Sequence, residues 1–214
     1  MYIELKDVSK SIKGAKILDN ISLKMESGKI YGFQGKNGCG KTMLMRAICG
    51  LIKIDSGSIN INGKTLHKDI TFPESIGVLI ENPSFLNNFT GFKNLRLIAD
   101  IQGNITDDEI AKILQDVGLA ADDKRTYKKY SLGMKQKLGI AAAVMGTPDI
   151  VILDEPINAI DENGVCNVRT ILHNIREKGS IVIIACHDRK ELEQLSDVII
   201  HIENGRIIDN EPKS

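Results

Sequence analysis

Apolar residues recur along this chain with two periods, and the change of period divides it into three stretches. Near the N-terminus they alternate with polar ones, as Ile3 and Leu5, then Ile21, Leu23 and Met25. Alternation predicts half-buried strands over residues 3–8 and 17–25, with Gly14 marking the turn between them. Ser27-Gly28 turns the chain into an unbroken apolar run at 29–34, the pattern of a strand buried on both faces. Residues 43–49 have helical spacing and stop at Gly50. Asp55-Ser56-Gly57 and Asn62-Gly63 bracket a short strand at 58–61, and another at 75–80 follows Pro73.

The middle stretch is helical. Phe92, Leu95, Ile98 and Ala99 predict a helix over 90–102. Thr106-Asp107-Asp108-Glu109 is a capping box that opens a second helix, ending at Gly118. A polar stretch at 122–129 leads to Ser131 and a third helix over 132–144. The last stretch alternates strand and helix, with strands at 149–153, 180–186 and 197–203 and helices at 164–177 and 189–195. An Asn204-Gly205 turn and a strand at 206–209 close it. Strands joined by crossover helices require a parallel sheet. The expected architecture is therefore an α/β core with a mixed sheet, an antiparallel β edge or subdomain from the N-terminal third and a helical lobe at about 85–145. No linker divides residues 1–214, so one domain is expected.

Chemistry enters at Gly35-Lys36-Asn37-Gly38-Cys39-Gly40-Lys41-Thr42, between the buried strand and the first helix. It fits G-x-x-x-x-G-K-[ST], the phosphate-binding loop, in the strand–loop–helix context that the pattern needs. Glycines let successive N–H groups turn toward one anion, and the helix N-terminus adds partial positive charge. Lys41 would reach the β- and γ-phosphates, and the Thr42 hydroxyl would bind Mg²⁺. Downstream, the apolar strand at 150–153 ends in Asp154-Glu155. Asp154 is placed to orient the metal and Glu155 to polarise an attacking water. Ser131-Leu132-Gly133-Met134-Lys135-Gln136 puts a Ser and a Gly at a helix start, either an ordinary cap or an anion contact.

Together with Asn158-Ala159-Ile160-Asp161 and His187, these motifs resemble the ATPase subunits of ABC transporters in order and spacing along the whole chain. The resemblance implies a sandwich of two cassettes around two ATP molecules, formed by a second copy or a paralogous ATPase. Ser131 and Gly133 would contact the γ-phosphate bound by the opposite protomer, Asp161 would join the two sites, and His187 would hold the γ-phosphate and attacking water. ATP and Mg²⁺ are the implied substrate and cofactor. The implied role is to power an exporter through a separate transmembrane permease. Soluble cassette ATPases outside transport and non-hydrolysing regulators are the alternatives.

Three positions depart from the family pattern. Glu81 stands where a Gln usually touches Mg²⁺, and with Thr90-Gly91 and Ser-Leu-Gly-Met-Lys-Gln it resembles bacitracin- and lantibiotic-type transporters. A full negative charge there is expected to bind the metal more strongly. Ile12 stands where an aromatic ring commonly stacks on adenine, so weak discrimination between ATP and GTP is expected. Cys39 replaces a usual Ala or Ser, and the helix N-terminus beside Lys41 would make its thiol reactive, with nucleotide protecting it.

Charge and cysteine use add little. The 28 basic and 28 acidic residues cancel, and the run around Lys124-Arg125 and Lys128-Lys129 reads as a solvated loop, so no nucleic-acid partner is expected. The four cysteines have no C-x-x-C spacing, which favours free thiols. No apolar run reaches membrane-span length and no signal sequence opens the chain. The expected location is cytoplasmic, peripheral on the inner face of the membrane.

Overall fold

The computed structural model describes residues 1–103, 105–186 and 189–212, with only the backbone for 211 and 212. Strands β1 (Tyr2–Ile12), β2 (Ala15–Glu26), β4 (Ser56–Ile61) and β5 (Lys64–Thr65) form one antiparallel sheet in the order β2-β1-β4-β5. Strands β3 (Lys29–Gln34), β6 (Ile76–Leu79), β7 (Ile150–Asp154), β8 (Ile181–Ala185), β9 (Val198–Glu203) and β10 (Arg206–Pro212) form the other, in the order β10-β9-β3-β8-β7-β6. All neighbours in this second sheet are parallel except β9 and β10. The expected N-terminal antiparallel β subdomain is a sheet of its own, and the mixed character of the core sheet comes from the C-terminal hairpin. Alternation tells which face of a strand is buried, but not which sheet the strand joins.

The central strands read as continuous apolar runs because both faces are covered. Ile150 and Ile152 on β7, with Ile181, Ile183 and Ala185 on β8, pack toward helix α1 (Lys41–Ile48) and the antiparallel sheet. Val151, Leu153, Val182 and Ile184 face the opposite core, with helices α2 (Gly91–Gln102), α3 (Asp107–Asp116), α4 (Leu132–Val144), α5 (Glu162–Glu177) and α6 (Arg189–Leu195). The lobe at 85–145 therefore shares a core with the sheet. Thr106 and Glu109 make both bonds of the expected capping box.

The stretch at 122–129 is less polar than its composition suggested. It contains a 3-10 turn, Tyr127–Lys129, whose Tyr127 is buried against Phe85 and donates its hydroxyl to Pro83 O at 2.6 Å. The loop at 86–90 is tied down by buried Asn94, whose Nδ2 donates to the carbonyls of Leu86, Phe89 and Thr90.

Helix α4 lies close over the edge strand β6. A Cβ on Gly77 would sit 1.6 Å from Ala143 O, which is backbone and has nowhere to go. Gly77→Ala is therefore expected to push α4 away from the sheet and cost about 3 kcal/mol of stability, as overpacking against a rigid neighbour does. Urea unfolding monitored by circular dichroism measures the loss.

Candidate functional site

Four parallel strands stop at one edge of the sheet, and the segments leaving them carry the chemistry. The phosphate loop follows β3, Asp154-Glu155 ends β7, Glu81 follows β6, and His187, which lies outside the described residues, follows β8. In an open α/β sheet this edge is where ligands bind. Helix α1 begins at Lys41 itself, two residues earlier than its apolar spacing indicated, so Lys41 and Thr42 belong to its first turn. Gly40, the residue before it, has φ 111°, and a Cβ there would meet Ile17 O at 2.9 Å. Only glycine fits that turn without strain.

Lys41 is 6% exposed, and its ammonium donates to Gly35 O at 2.6 Å and Lys36 O at 3.2 Å. Thr42 Oγ1 donates to Asp154 Oδ2 at 2.6 Å, which brings the two expected metal-binding groups together across the sheet. A hydroxyl and a carboxylate beside a phosphate cradle are hard oxygen donors, the set that suits Mg²⁺. A cavity of about 440 Å³ opens here, lined by Asn37, Gly38, Gly40, Lys41, Thr42, Met43, Asp154 and Glu155, and closed on one side by Ile12, Lys13 and Ile17. That volume suits a nucleotide-sized ligand. A larger hollow of about 770 Å³ lies where β6 and β7 begin, lined by a mixture of charges including Glu74, Lys112, Asp116 and Lys178. It has no phosphate-binding loop, and the smaller cavity is the candidate site.

Glu155 has φ 51°, the left-handed region that costs a non-glycine residue energy. Its backbone is held on both sides: its N–H donates to Ala185 O at 2.9 Å, and its carbonyl accepts from Gln136 Nε2 at 3.0 Å. Gln136 and Lys137 are working residues that the sequence reading left without a role. Lys137 Nζ donates to Asp161 Oδ1 at 2.7 Å, and this bond, followed by the ammonium charge, holds the Asp161 carboxyl below the usual carboxylate range. Asp161 stands at the N-cap of α5. Ser131 caps α4 by accepting from Met134 N at 3.2 Å. Gly133 lies so close to the Asp161 loop that a Cβ would fall 2.5 Å from Ala159 O.

The structure adds detail at two of the singled-out positions. Glu81 does not line the cavity; its carboxylate bonds to Arg46 of α1, and its side chain is 64% exposed. Arg46 is one turn along the helix from Thr42 and supplies a positive charge opposite Glu81. Cys39 is buried and lines a second cavity of about 390 Å³, with its Sγ 4.0 Å from the ammonium of Lys41. All four cysteines are free, as expected, and burial pushes the Cys49 thiol up to about 12. Among the described residues, no three His, Cys, Asp or Glu side chains cluster as a metal site.

The ABC transporter family matches this chain over residues 18–158. An uncharacterized ABC transporter ATP-binding protein of Bacillus subtilis, YybJ, is 44% identical over 96% of this chain and 94% of its own length. The bacitracin transport ATP-binding protein BcrA of Enterococcus faecalis is 36% identical over 97% of this chain and 68% of its own. The lantibiotic transport ATP-binding protein SrtF of Streptococcus pyogenes is 35% identical over 96% and 89%. The solved structure of an ATP-binding subunit of an ABC transporter superposes with a TM-score of 0.90 at 25% identity, covering 99% of this chain and 90% of that one. A dimeric ATP-binding cassette in a post-hydrolysis state, bound to ADP and Pi, shares the fold with a TM-score of 0.88 at 21% identity over 98% of both chains.

The metal geometry yields a paired expectation. Asp154→Asn removes the charge opposite Thr42 and should raise the Mg²⁺ concentration needed for half-maximal hydrolysis about tenfold or more. Glu81→Gln, whose parent carboxylate is engaged by Arg46, should shift it less than about twofold. Mg²⁺ titrations of phosphate release separate the two. At the cavity wall, Ile12 offers no ring, so affinities for ATP and GTP should lie within a few-fold. Ile12→Tyr should tighten ATP binding about fivefold, equivalent to roughly 1 kcal/mol of stacking, in a competition titration with fluorescent nucleotide.

Proposed function

The chain belongs to the ABC transporter family and is an ATP-binding, ATP-hydrolysing subunit, and from that premise we propose that it powers export of a peptide antibiotic, drug or lipid-like substrate through a separate transmembrane chain. The observation that carries the reading is the union of the Lys41 loop, the Thr42–Asp154 pair and Glu155 in one cavity. The names of the bacitracin and lantibiotic relatives support the class of cargo. Among the described residues no helix is long and apolar enough to cross a membrane, so the route across it belongs to another chain in this reading. Leu86 and Phe89, exposed on the loop that Asn94 holds, and Leu97 of α2 offer an apolar surface for that chain.

The chemistry follows from the groups present. Lys41 gives up its two loop carbonyls and turns its ammonium to the β- and γ-phosphates, while loop N–H groups hold the remaining phosphate oxygens. Thr42 and Asp154 are the residues that would hold Mg²⁺, and the ion would supply positive charge against the phosphates. Glu155 orients a water in line with the bond to be cleaved and accepts its proton as the new P–O bond forms and the bond from the γ-phosphorus to the bridging oxygen breaks, releasing ADP and phosphate. Ile12, Lys13 and Ile17 cover the base side of the cavity. Ser131 and Gly133 of a second copy, or of a paralogous ATPase, complete the γ-phosphate contacts. The protein then works at the cytoplasmic face of the membrane.

Glu155→Gln tests hydrolysis and export together. Phosphate release should fall by about 10²–10⁴, the usual worth of a general base, while nucleotide binding is retained. In the wild type, specific activity should climb with protein concentration, because each site needs two chains. Cells carrying the subunit with its membrane partner should tolerate a bacitracin-type peptide, and cells carrying Glu155→Gln should not. Equal tolerance in both would reject export.

A further inference from the structure

Gln136 is 8% exposed, and its side-chain amide faces two main-chain oxygens. Nε2 donates to Glu155 O at 3.0 Å and to Pro156 O at 3.3 Å. Two acceptors require the NH₂ end of the amide, so the assignment of its nitrogen follows from the surroundings. The residue it grips has a left-handed backbone: Glu155 sits at φ 51° with its N–H on Ala185 O. Removing the donors would leave the carbonyl side of that turn unheld while the strain favouring its relaxation remains.

Gln136 also sits on the helix whose N-terminus is Ser131. Along one side of its first turns, α4 is fixed to the segment 155–161 three times: Gly133 against Ala159 O, Gln136 on Glu155 and Pro156, and Lys137 on Asp161. Residues spaced by three and four lie on one helix face, so these contacts act as a unit. A displacement of Ser131 and Gly133 is carried to Glu155 by a rigid turn of helix.

We propose that Gln136 is a positioning residue for Glu155 of its own chain, so that the helix completing the partner's γ-phosphate site also sets the hydrolytic carboxylate of its own site. The second half of this rests on the two-copy reading above. Occupancy of one site is thereby communicated to the other through α4.

Gln136→Met keeps the volume and removes both donors. Its kcat should fall about tenfold or more while KM and the Kd for ATP stay within about twofold. Loss of binding in step with kcat, or unchanged kcat, overturns the proposal. Gln136→Glu places acceptors against the two carbonyls at neutral pH, and protonation restores an O–H donor. Its activity relative to wild type should rise as the pH is lowered, and that of Gln136→Met should not; parallel profiles would count against a donor role. Mixing chains separates own-site from partner-site action. Ser131→Arg mixed with Glu155→Gln should recover hydrolysis, since one hybrid site is intact. Gln136→Met mixed with Glu155→Gln should not, because the only intact Glu155 lies in the chain lacking its positioning residue. Recovery in the second mixture overturns the proposal. Failure of the first refutes the two-copy reading instead, and the kcat-against-KM result still decides whether Gln136 positions Glu155.

Discussion

Lys41 carries a buried ammonium whose bonds go to carbonyls of the same loop that presents it. Burying a charge is costly unless another charge or several strong dipoles meet it, and a phosphate meets this one more completely than two carbonyls do. The surrounding geometry follows from that requirement. Successive residues on a helix point about 100° apart, so Lys41 reaches the cradle while Thr42 turns toward β7. Asp154 must then end its strand level with the start of α1, which the parallel register β7–β8–β3 achieves. The sheet is thus a device for bringing two distant stretches of chain to the same height.

What could be read from residue order was whatever depends on local pattern. Continuous apolar runs identified the central strands, Thr106 and Glu109 the helix start, and the glycine loop its own anion. Partners across the fold were not legible in the same way. Arg46 and Glu81 meet because α1 runs past the end of β6, and no spacing rule relates position 46 to 81. Tyr127 sits in a run of charges, and its burial depends on Phe85 and Pro83 arriving from another loop. Gln136 stood inside a motif already singled out for Ser131 and Gly133, yet its work is done on two carbonyls, and carbonyls leave no mark in a sequence. Polar residues interrupting an otherwise apolar helical face were the available signal, since a buried amide must find a partner.

Two of the chain's left-handed non-glycine residues fall in the loop that follows β7. Glu155 and Ala159 both have positive φ, and both lie in the short segment between β7 and α5. Such backbone persists only where neighbours over-determine it. Here the neighbours are β8 from one side and α4 from the other, so two layers of the fold meet on one loop. Pro156 adds a fixed φ and removes a donor, leaving its carbonyl as the group that Gln136 can hold.

The N-terminus of α4 is the other place where backbone groups lack partners within their own helix. The first N–H groups of a helix have no carbonyl within it, and Ser131 satisfies that of Met134 alone. Leu132, beside the cap, is 64% exposed. An apolar side chain and a helix N-terminus presented together suit a surface that meets both protein and an anion. The cavity lined by Lys41, Thr42 and Glu155 on the same chain would supply the anion of a bound nucleotide. Two chains related by a twofold axis would satisfy each other's helix ends with each other's phosphates. In that arrangement the ligand is part of the interface, which makes association dependent on ATP and dissociation a consequence of its hydrolysis. Rigid attachment of α4 to the loop of Glu155 then gives the interface a direct mechanical hold on the chemistry that dissolves it.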